Sequence, residues 1–283
     1  MVMPQKSISL DDPRNNAILN MKNSIPISMW EKNTIFLKSL REQITNHRVS
    51  THPAIGILNS GILNSYQLKF THLEYRHAIV QIFTDALLMA QFQTKQLEPN
   101  LSSGSKMAAR FLLSLNVLDE FGFKPGISQN GYYMGHPDNA HYPLYEKLLE
   151  SLDITEIDKN NFFPSKISDR VRNYLEDTYD CYISVTALLA VAEEEVILFS
   201  PALREAVKAI GRCVDSGYYF VHGVSDDEFC EGADDDHEDD LWFILTQACS
   251  EEHYEYLSKI CTEYCDLWCK FWDYQMQNWN LKI

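Results

Sequence analysis

The chain is poor in the residues that punctuate short-strand folds, with 11 glycines and 10 prolines in 283 residues. Few turn residues argue against a sandwich or barrel built from many short strands. Basic residues are also scarce, 24 against 40 acidic ones, which leaves a formal net charge of −16. A surface that acidic repels nucleic-acid phosphates and anionic lipid, so neither nucleic acid nor a membrane is an expected partner. No apolar run reaches the roughly 18 residues of a membrane-spanning helix. The opening MVMPQKSISLDDPRNNAILN lacks the apolar core of a signal peptide. Cysteine is absent before Cys181 and its total of 7 is odd. This counts against a secreted disulfide scaffold and makes reduced thiols in the cytoplasm the expectation. A phosphate-cradling glycine loop, a GxSxG elbow and a CxxC pair are all missing.

What the sequence does have is apolar residues at helical spacing. The pattern predicts helices over 29–44, 66–93, 105–123, 141–152, 178–199, 202–216 and 251–279. Ser200-Pro201 reads as a cap that opens a new helix. Ser225 followed by Glu228 reads as a capping box for a helix running to about Gln247. Between these lie a Gly/Asn/Pro-rich loop at 124–140 and an irregular connection at 160–170. The expectation is an all-α protein, a single-domain antiparallel helical bundle over 1–283 with eight or nine helices, residues 1–27 forming an irregular extension.

Charged residues on apolar helix faces are the candidate chemistry, because carboxylates are rarely buried unless paired or metal-bound. Glu120, next to Asp119, shares a helical face with Leu112, Leu113, Asn116 and Val117. Glu193 and Glu195 flank an apolar stripe of Val185, Leu189, Ala192, Val196 and Phe199, with Glu194 pointing outward. Either of the two flanking residues can reach the interior. His222 precedes the acidic stretch 225–245, in which Asp234 and His237 are one turn apart on one face. Carboxylate with imidazole suits iron, manganese or zinc. The stretch lacks the glycine and alternating spacing of an EF-hand loop. Taken singly, each site also reads as an ordinary solvated charge or a satisfied core histidine. Cys261, Cys265 and Cys269 share one helical face and read as a buried apolar stripe rather than a soft-metal site.

LDEFG (118–122) followed by HYPLYEKLLESLDI (141–154), then YYFVH (218–222) and ADDDHEDDLW (233–242), resembles the haem-oxygenase-like diiron oxidases. These include the CADD-type proteins and share a thiaminase-II-like helical scaffold. The resemblance implies a haem-oxygenase-like fold in which Glu120, His141, Glu195 or Glu193, His222, Asp234 and His237 hold two Fe(II) ions. O2 would be the co-substrate and a small carboxylate-bearing molecule, an amino acid or fatty acid, the substrate. A homodimer is also implied. The sequence departs from the pattern in two places. His136 competes with His141 across a long spacing. Asp226 stands four after His222, but Phe229 occupies the position of the last histidine, so an insertion or a lost ligand is implied. Lys106, Arg110, Lys124 and Arg204 are candidate partners for a substrate carboxylate. Tyr132, Tyr133, Tyr142, Tyr179, Tyr182, Tyr218 and Tyr219 lie near the proposed ligands in sequence. CADD-type proteins are thought to consume one of their own tyrosines, so a radical or substrate-orienting role is the functional reading of these. Packing is the commoner role.

Two other readings compete with the diiron one. The first is a metal-free thiamin-salvage-type hydrolase on the same scaffold, for which Cys181 is the plausible nucleophile. The second is a non-catalytic helical interaction protein that docks through the aromatic C-terminal helix, with Trp268, Phe271, Trp272, Tyr274 and Trp279.

Overall fold

The computed structural model describes residues 12–222 and 233–281, with the side chains of 233–238 outside the description. Some helices open at a side-chain cap, and others form on apolar spacing without one. Helix α1 (Pro13–Asn23) opens behind Asp12, whose carboxylate accepts from the Arg14 amide, with Pro13 in the first turn. Residues 13–23, expected to be part of an irregular extension, are therefore helical. Helix α2 (Ile27–Thr45) buries Trp30, Leu37, Leu40 and Ile44, and α3 (Pro53–Asn59) is capped by His52. Helix α4 (Ser65–Tyr75) starts at an Asn64–Gln67 capping box. The single helix expected over 66–93 is interrupted. A π turn at Arg76–Val80 separates α4 from α5 (Phe83–Gln93).

Helix α6 (Lys106–Glu120) is followed by a two-stranded antiparallel hairpin, β1 (Phe123–Ile127) and β2 (Tyr133–Gly135), where a loop was expected. Phe123 pairs with Gly135, and an irregularity between Lys124 and Ile127 brings Ile127 opposite Tyr133. Gly122 has φ +78°, and a Cβ there would come within 2.6 Å of backbone atoms of His136, Asn139 and Ala140. Only glycine fits where the two ends of the excursion touch. Helix α7 (His141–Ser151) then begins at once. Helices α8 (Glu156–Asn161) and α9 (Lys166–Glu176) shorten the expected irregular connection to residues 162–165. Glu74, fully buried on α4, accepts from Ser165 N, Ser165 Oγ and Ser168 Oγ and so ties down the start of α9.

Helix α10 (Tyr182–Ala209) runs straight through Pro201, contrary to the break expected at Ser200-Pro201. A mid-helix proline costs about 3 kcal/mol. Phe199, Ala202, Leu203, Ala206 and Val207 are all buried on both sides of it, and each large apolar side chain contributes about 1.5–3 kcal/mol. Packing therefore outweighs the proline. Helices α11 (Tyr218–Val221), α12 (Ala233–Ala248) and α13 (Tyr254–Trp279) complete the described chain. The Ser225–Glu228 capping box lies outside the described residues. The unexpected α1, α3, α8, α9 and α11 and the split of 66–93, less the fusion of two expected helices into α10, bring the α-helical segments among the described residues to 13, more than the eight or nine expected.

Every residue of α10 from Ser184 to Glu193 is buried, as befits a central helix. It packs against α3, α5, α12 and α13, while α6 lies between α1, α5 and α12. One apolar cluster runs from Ala17 to Trp279. Trp268, Phe271, Trp272 and Trp279 of α13 are buried within it, so the aromatic helix is core among the described residues rather than a docking face. Cys261, Cys265 and Cys269 are buried on the same helix. Burial pushes their thiols up, to about 12 for Cys261 and about 11 for Cys269, which keeps them protonated. Among the described residues no helix is long and apolar enough to cross a membrane.

Candidate functional site

The site is assembled from ends and middles of helices. Glu120 is the last residue of α6 and His141 the first of α7, joined by the exposed hairpin. Glu193 sits in the middle of α10, and His222 ends α11. All four line one small cavity, closed by Ile79, Val80, Phe83, Tyr142, Val196 and Tyr218. The cavity leaves about 20 Å³ for the centre of a water-sized sphere, room for one or two such bodies. The π turn supplies the consecutive Ile79 and Val80, an irregular feature placed at a candidate site.

Burial at this cavity is high. Glu120, His141 and Glu193 are 7%, 4% and 4% exposed. Glu120 Oε1 lies 2.9 Å from His141 Nδ1, and Asp119 Oδ2 lies 3.6 Å from His141 Nε2. Asn116, one turn before Glu120, donates from Nδ2 to Glu193 Oε1 at 3.2 Å. The His141 and His222 rings meet edge to face at 4.7 Å. Two buried carboxylates on one cavity repel each other and are expensive to desolvate, and a bound cation would relieve both costs. Among the described residues, no three His, Cys, Asp or Glu side chains are gathered as a metal-holding group. Glu120 and His141 contact one another instead. The donor set of two carboxylates and two imidazoles is nevertheless the chemistry that first-row transition metals select.

The Glu193/Glu195 alternative separates in space. Glu193 lines the cavity, whereas Glu195 turns toward α4 and α13. There it accepts from Tyr75 Oη at 2.7 Å and from Trp272 Nε1 at 2.9 Å. Burial pushes Glu195 up to about 8, against the opposing pull of those two hydrogen bonds. Glu194 pairs with Arg41 at 3.4 Å. Asp234 and His237 fall in the first turns of α12, where side chains lie outside the described residues, and Asp226 and Phe229 lie outside them altogether. His136 is 63% exposed by side chain on the hairpin side, so His141 is the histidine at the cavity.

Of the basic candidates, Lys106 pairs with Glu98, Arg110 bonds Thr94 Oγ1, and Arg204 pairs with Glu205 and Asp215. Lys124 lines a second cleft of about 240 Å³ together with Asp119 and His141, on the hairpin side of the cavity. Among the tyrosines, Tyr132 and Tyr133 are exposed on the hairpin. Tyr179 bonds the Ile82 carbonyl, Tyr182 is core and Tyr219 bonds His72. Tyr142 and Tyr218 reach the cavity. Arg76 donates to Tyr142 Oη at 3.0 Å and pairs with Glu146. Asn116 was visible in the sequence only as a face neighbour of Glu120. Its role needs α10 beside α6, which spacing along the chain does not reveal. Cys181 lies elsewhere, in a cleft it shares with Glu252 and His253, and accepts from Ser184 Oγ at 3.1 Å.

These features define a helical protein whose buried acid–imidazole cavity is formed where the ends of α6, α7 and α11 meet the middle of α10. Its scaffold is the haem-oxygenase-like one shared by CADD-like proteins and TenA homologues. A CADD-like protein of unknown function from Nostoc punctiforme matches at TM-score 0.63 and 14% identity, over 88% of this chain and 98% of that one. A TenA homologue from Pseudomonas syringae pv. tomato matches at TM-score 0.58 and 13% identity, over 97% and 99%. A TenA homologue from P. horikoshii matches at TM-score 0.51 and 16% identity, over 87% and 98%. At such identities the likeness is one of fold. No family model and no curated protein matches the chain.

Proposed function

We propose that the protein is an O2-dependent non-haem oxidase or oxygenase that works with a pair of iron ions on a small carboxylate-bearing substrate. The observation that carries this reading is the convergence of Glu120, His141, Glu193 and His222 on one buried cavity. Asp234 and His237, on the helix packed beside α10, are the remaining donors in the proposal. Iron held there would supply O2 activation.

The chain's own residues have definable tasks. Ile79, Val80, Phe83 and Val196 keep bulk water from the cavity, which strengthens every charge interaction inside it. The Asn116 amide orients Glu193. Asp119, within 3.6 Å of the His141 ring, restrains the imidazole from its outer side. Lys124 lines the same cleft as His141 and is, among the described residues, the one cation there beside the carboxylates of Asp119 and Asp215, so it is the group that would meet an anionic substrate end on that side.

The test is anaerobic ferrous titration of the full chain, followed by exposure to O2 with amino acids and fatty acids added in turn. About two irons per chain are expected, with loss of binding on His141→Ala or Glu193→Ala and no loss on Glu195→Gln. A chain that binds no iron above background sinks the reading.

A specific observation favours a second reading, the metal-free hydrolase. Cys181 lies in a cleft with Glu252 and His253. Alkylation of Cys181 that abolishes turnover of a thiamin-like substrate in chelated samples would support it over the first.

A further inference from the structure

A file of oxidisable rings leads from the cavity to the protein surface. Tyr218 lies 4.3 Å, centroid to centroid, from the His222 ring and 4.7 Å from Tyr145. Tyr145 is 6.4 Å from Tyr75, which is 5.8 Å from Trp268. Trp268 is 6.0 Å from Tyr264, and Tyr264 stacks on Tyr174 at 5.7 Å with the planes 12° apart. Tyr174, only half-buried, donates its hydroxyl to Glu263 at 2.7 Å. The file crosses five helices, from α11 through α7, α4 and α13 to α9.

Packing alone does not account for this composition. Phenylalanine would fill most of the same volume, yet phenol and indole recur at each step, and they are far easier to oxidise by one electron. Tyr264 is fully buried, and its Oη completes no hydrogen bond among the described residues although it lies close to the Trp268 indole. A buried hydroxyl left without a full hydrogen bond is destabilising. Stability would therefore favour phenylalanine at that position. Among the ring contacts of the described residues, every route from Tyr75 to Tyr264 passes through Trp268, either directly or by way of Phe271.

We propose that this file is a one-electron relay that discharges oxidising equivalents from the Glu120–His141–Glu193–His222 cavity to the Tyr174–Glu263 surface pair. Its physiological source rests on the O2 chemistry proposed above; its conductivity does not. In one discharge, a one-electron oxidant produced by O2 at the cavity takes an electron from Tyr218 and is itself reduced by one electron. The deficit then passes outward ring by ring as electron transfer alone, the phenolic protons of Tyr218, Tyr145, Tyr75 and Tyr264 staying in place. Tyr174 finally loses the electron. Its O–H bond breaks, the proton moves to the Glu263 carboxylate, and a phenoxyl radical remains. A one-electron reductant in solution, of the ascorbate class, returns the electron while Glu263 returns the proton.

The relay is tested in the full chain with no metal added, so a failure here is separate from a failure of iron binding. Tyr219→3-aminotyrosine places a radical trap 5.6 Å from Tyr218, with its hydroxyl 2.6 Å from His72 Nε2 as proton acceptor. A flash-generated ruthenium(III) polypyridyl oxidant in solution then withdraws electrons at the surface. The expected result is an aminotyrosyl radical at the buried trap by electron paramagnetic resonance, lost when Tyr264→Phe is added. Tyr264→Phe keeps the ring and deletes only a hydroxyl that completes no hydrogen bond among the described residues, so folding is retained, and Trp268→Phe serves as a second interruption. Absence of the trap radical in the uninterrupted chain overturns the relay, as does an undiminished signal in Tyr264→Phe.

Discussion

Lowering the pH should cost this fold stability through one histidine. His72 is fully buried, with Nδ1 2.7 Å from the Leu68 carbonyl and Nε2 2.6 Å from Tyr219 Oη. A carbonyl only accepts, so Nδ1 carries the proton and Nε2 accepts from the tyrosine; the neutral ring is fully satisfied. Burial holds His72 down to about 4 from 6.5. The unfolded chain takes up this proton near pH 6.5, while the folded ring stays neutral until about pH 4. The contribution is therefore complete above pH 6.5 and is lost as pH falls from 6.5 to 4. At 1.36 kcal/mol per pH unit, the loss amounts to roughly 3 kcal/mol. Urea unfolding followed by far-ultraviolet circular dichroism, from pH 7 to pH 4, measures it against His72→Gln, which cannot titrate. The stability difference between parent and variant should shrink by that amount across the window. A difference that stays flat would refute the reasoning, whatever the absolute stabilities.

Three further outcomes are expected. Asn116→Leu removes the amide that orients Glu193 and should weaken ferrous binding about 10- to 100-fold, read by anaerobic titration with helicity unchanged. Glu74→Gln disturbs the hydrogen bonds from Ser165 and Ser168 and should destabilise the fold by about 2 kcal/mol, seen as a lower urea midpoint; an unchanged midpoint would mean that the carboxylate is not what anchors α9. Gly122→Ala forces a Cβ onto the backbone of His136, Asn139 and Ala140 and should weaken iron binding by displacing His141. Ser128→Ala at the far end of the same hairpin should leave that binding intact.

The helical architecture was legible because core faces repeat at helical spacing in α2, α6, α7 and α13. Boundaries failed where packing overrode local propensity. Pro201 carries every local mark of a helix start, yet buried neighbours on both sides hold α10 continuous. The π turn at 76–80 is invisible to a fixed period, because it consists in one extra residue per turn. At the site, Glu120 and His222 were legible from residue type and helical position, and His141 only from the family resemblance of the segment it opens. The choice between Glu193 and Glu195 could not be made, since both flank one stripe and only the positions of α4 and α13 separate them. Tyr75 and Trp272, which draw Glu195 away, lie about 120 and 77 residues from it in sequence. Asp234 and His237 keep the standing they had as sequence expectations.

The hairpin between Glu120 and His141 leaves and rejoins the body at almost one point, where Gly122 abuts the backbone of 136–140. The length of that excursion is therefore uncoupled from the spacing of the two donors it separates. Exposed turn residues such as those at Ser128–Tyr132 tolerate insertion well. A reporter peptide or a longer arm could be grafted there, provided the stem at Gly122 and Gly135 and the Lys124 side of the cleft keep their sequence.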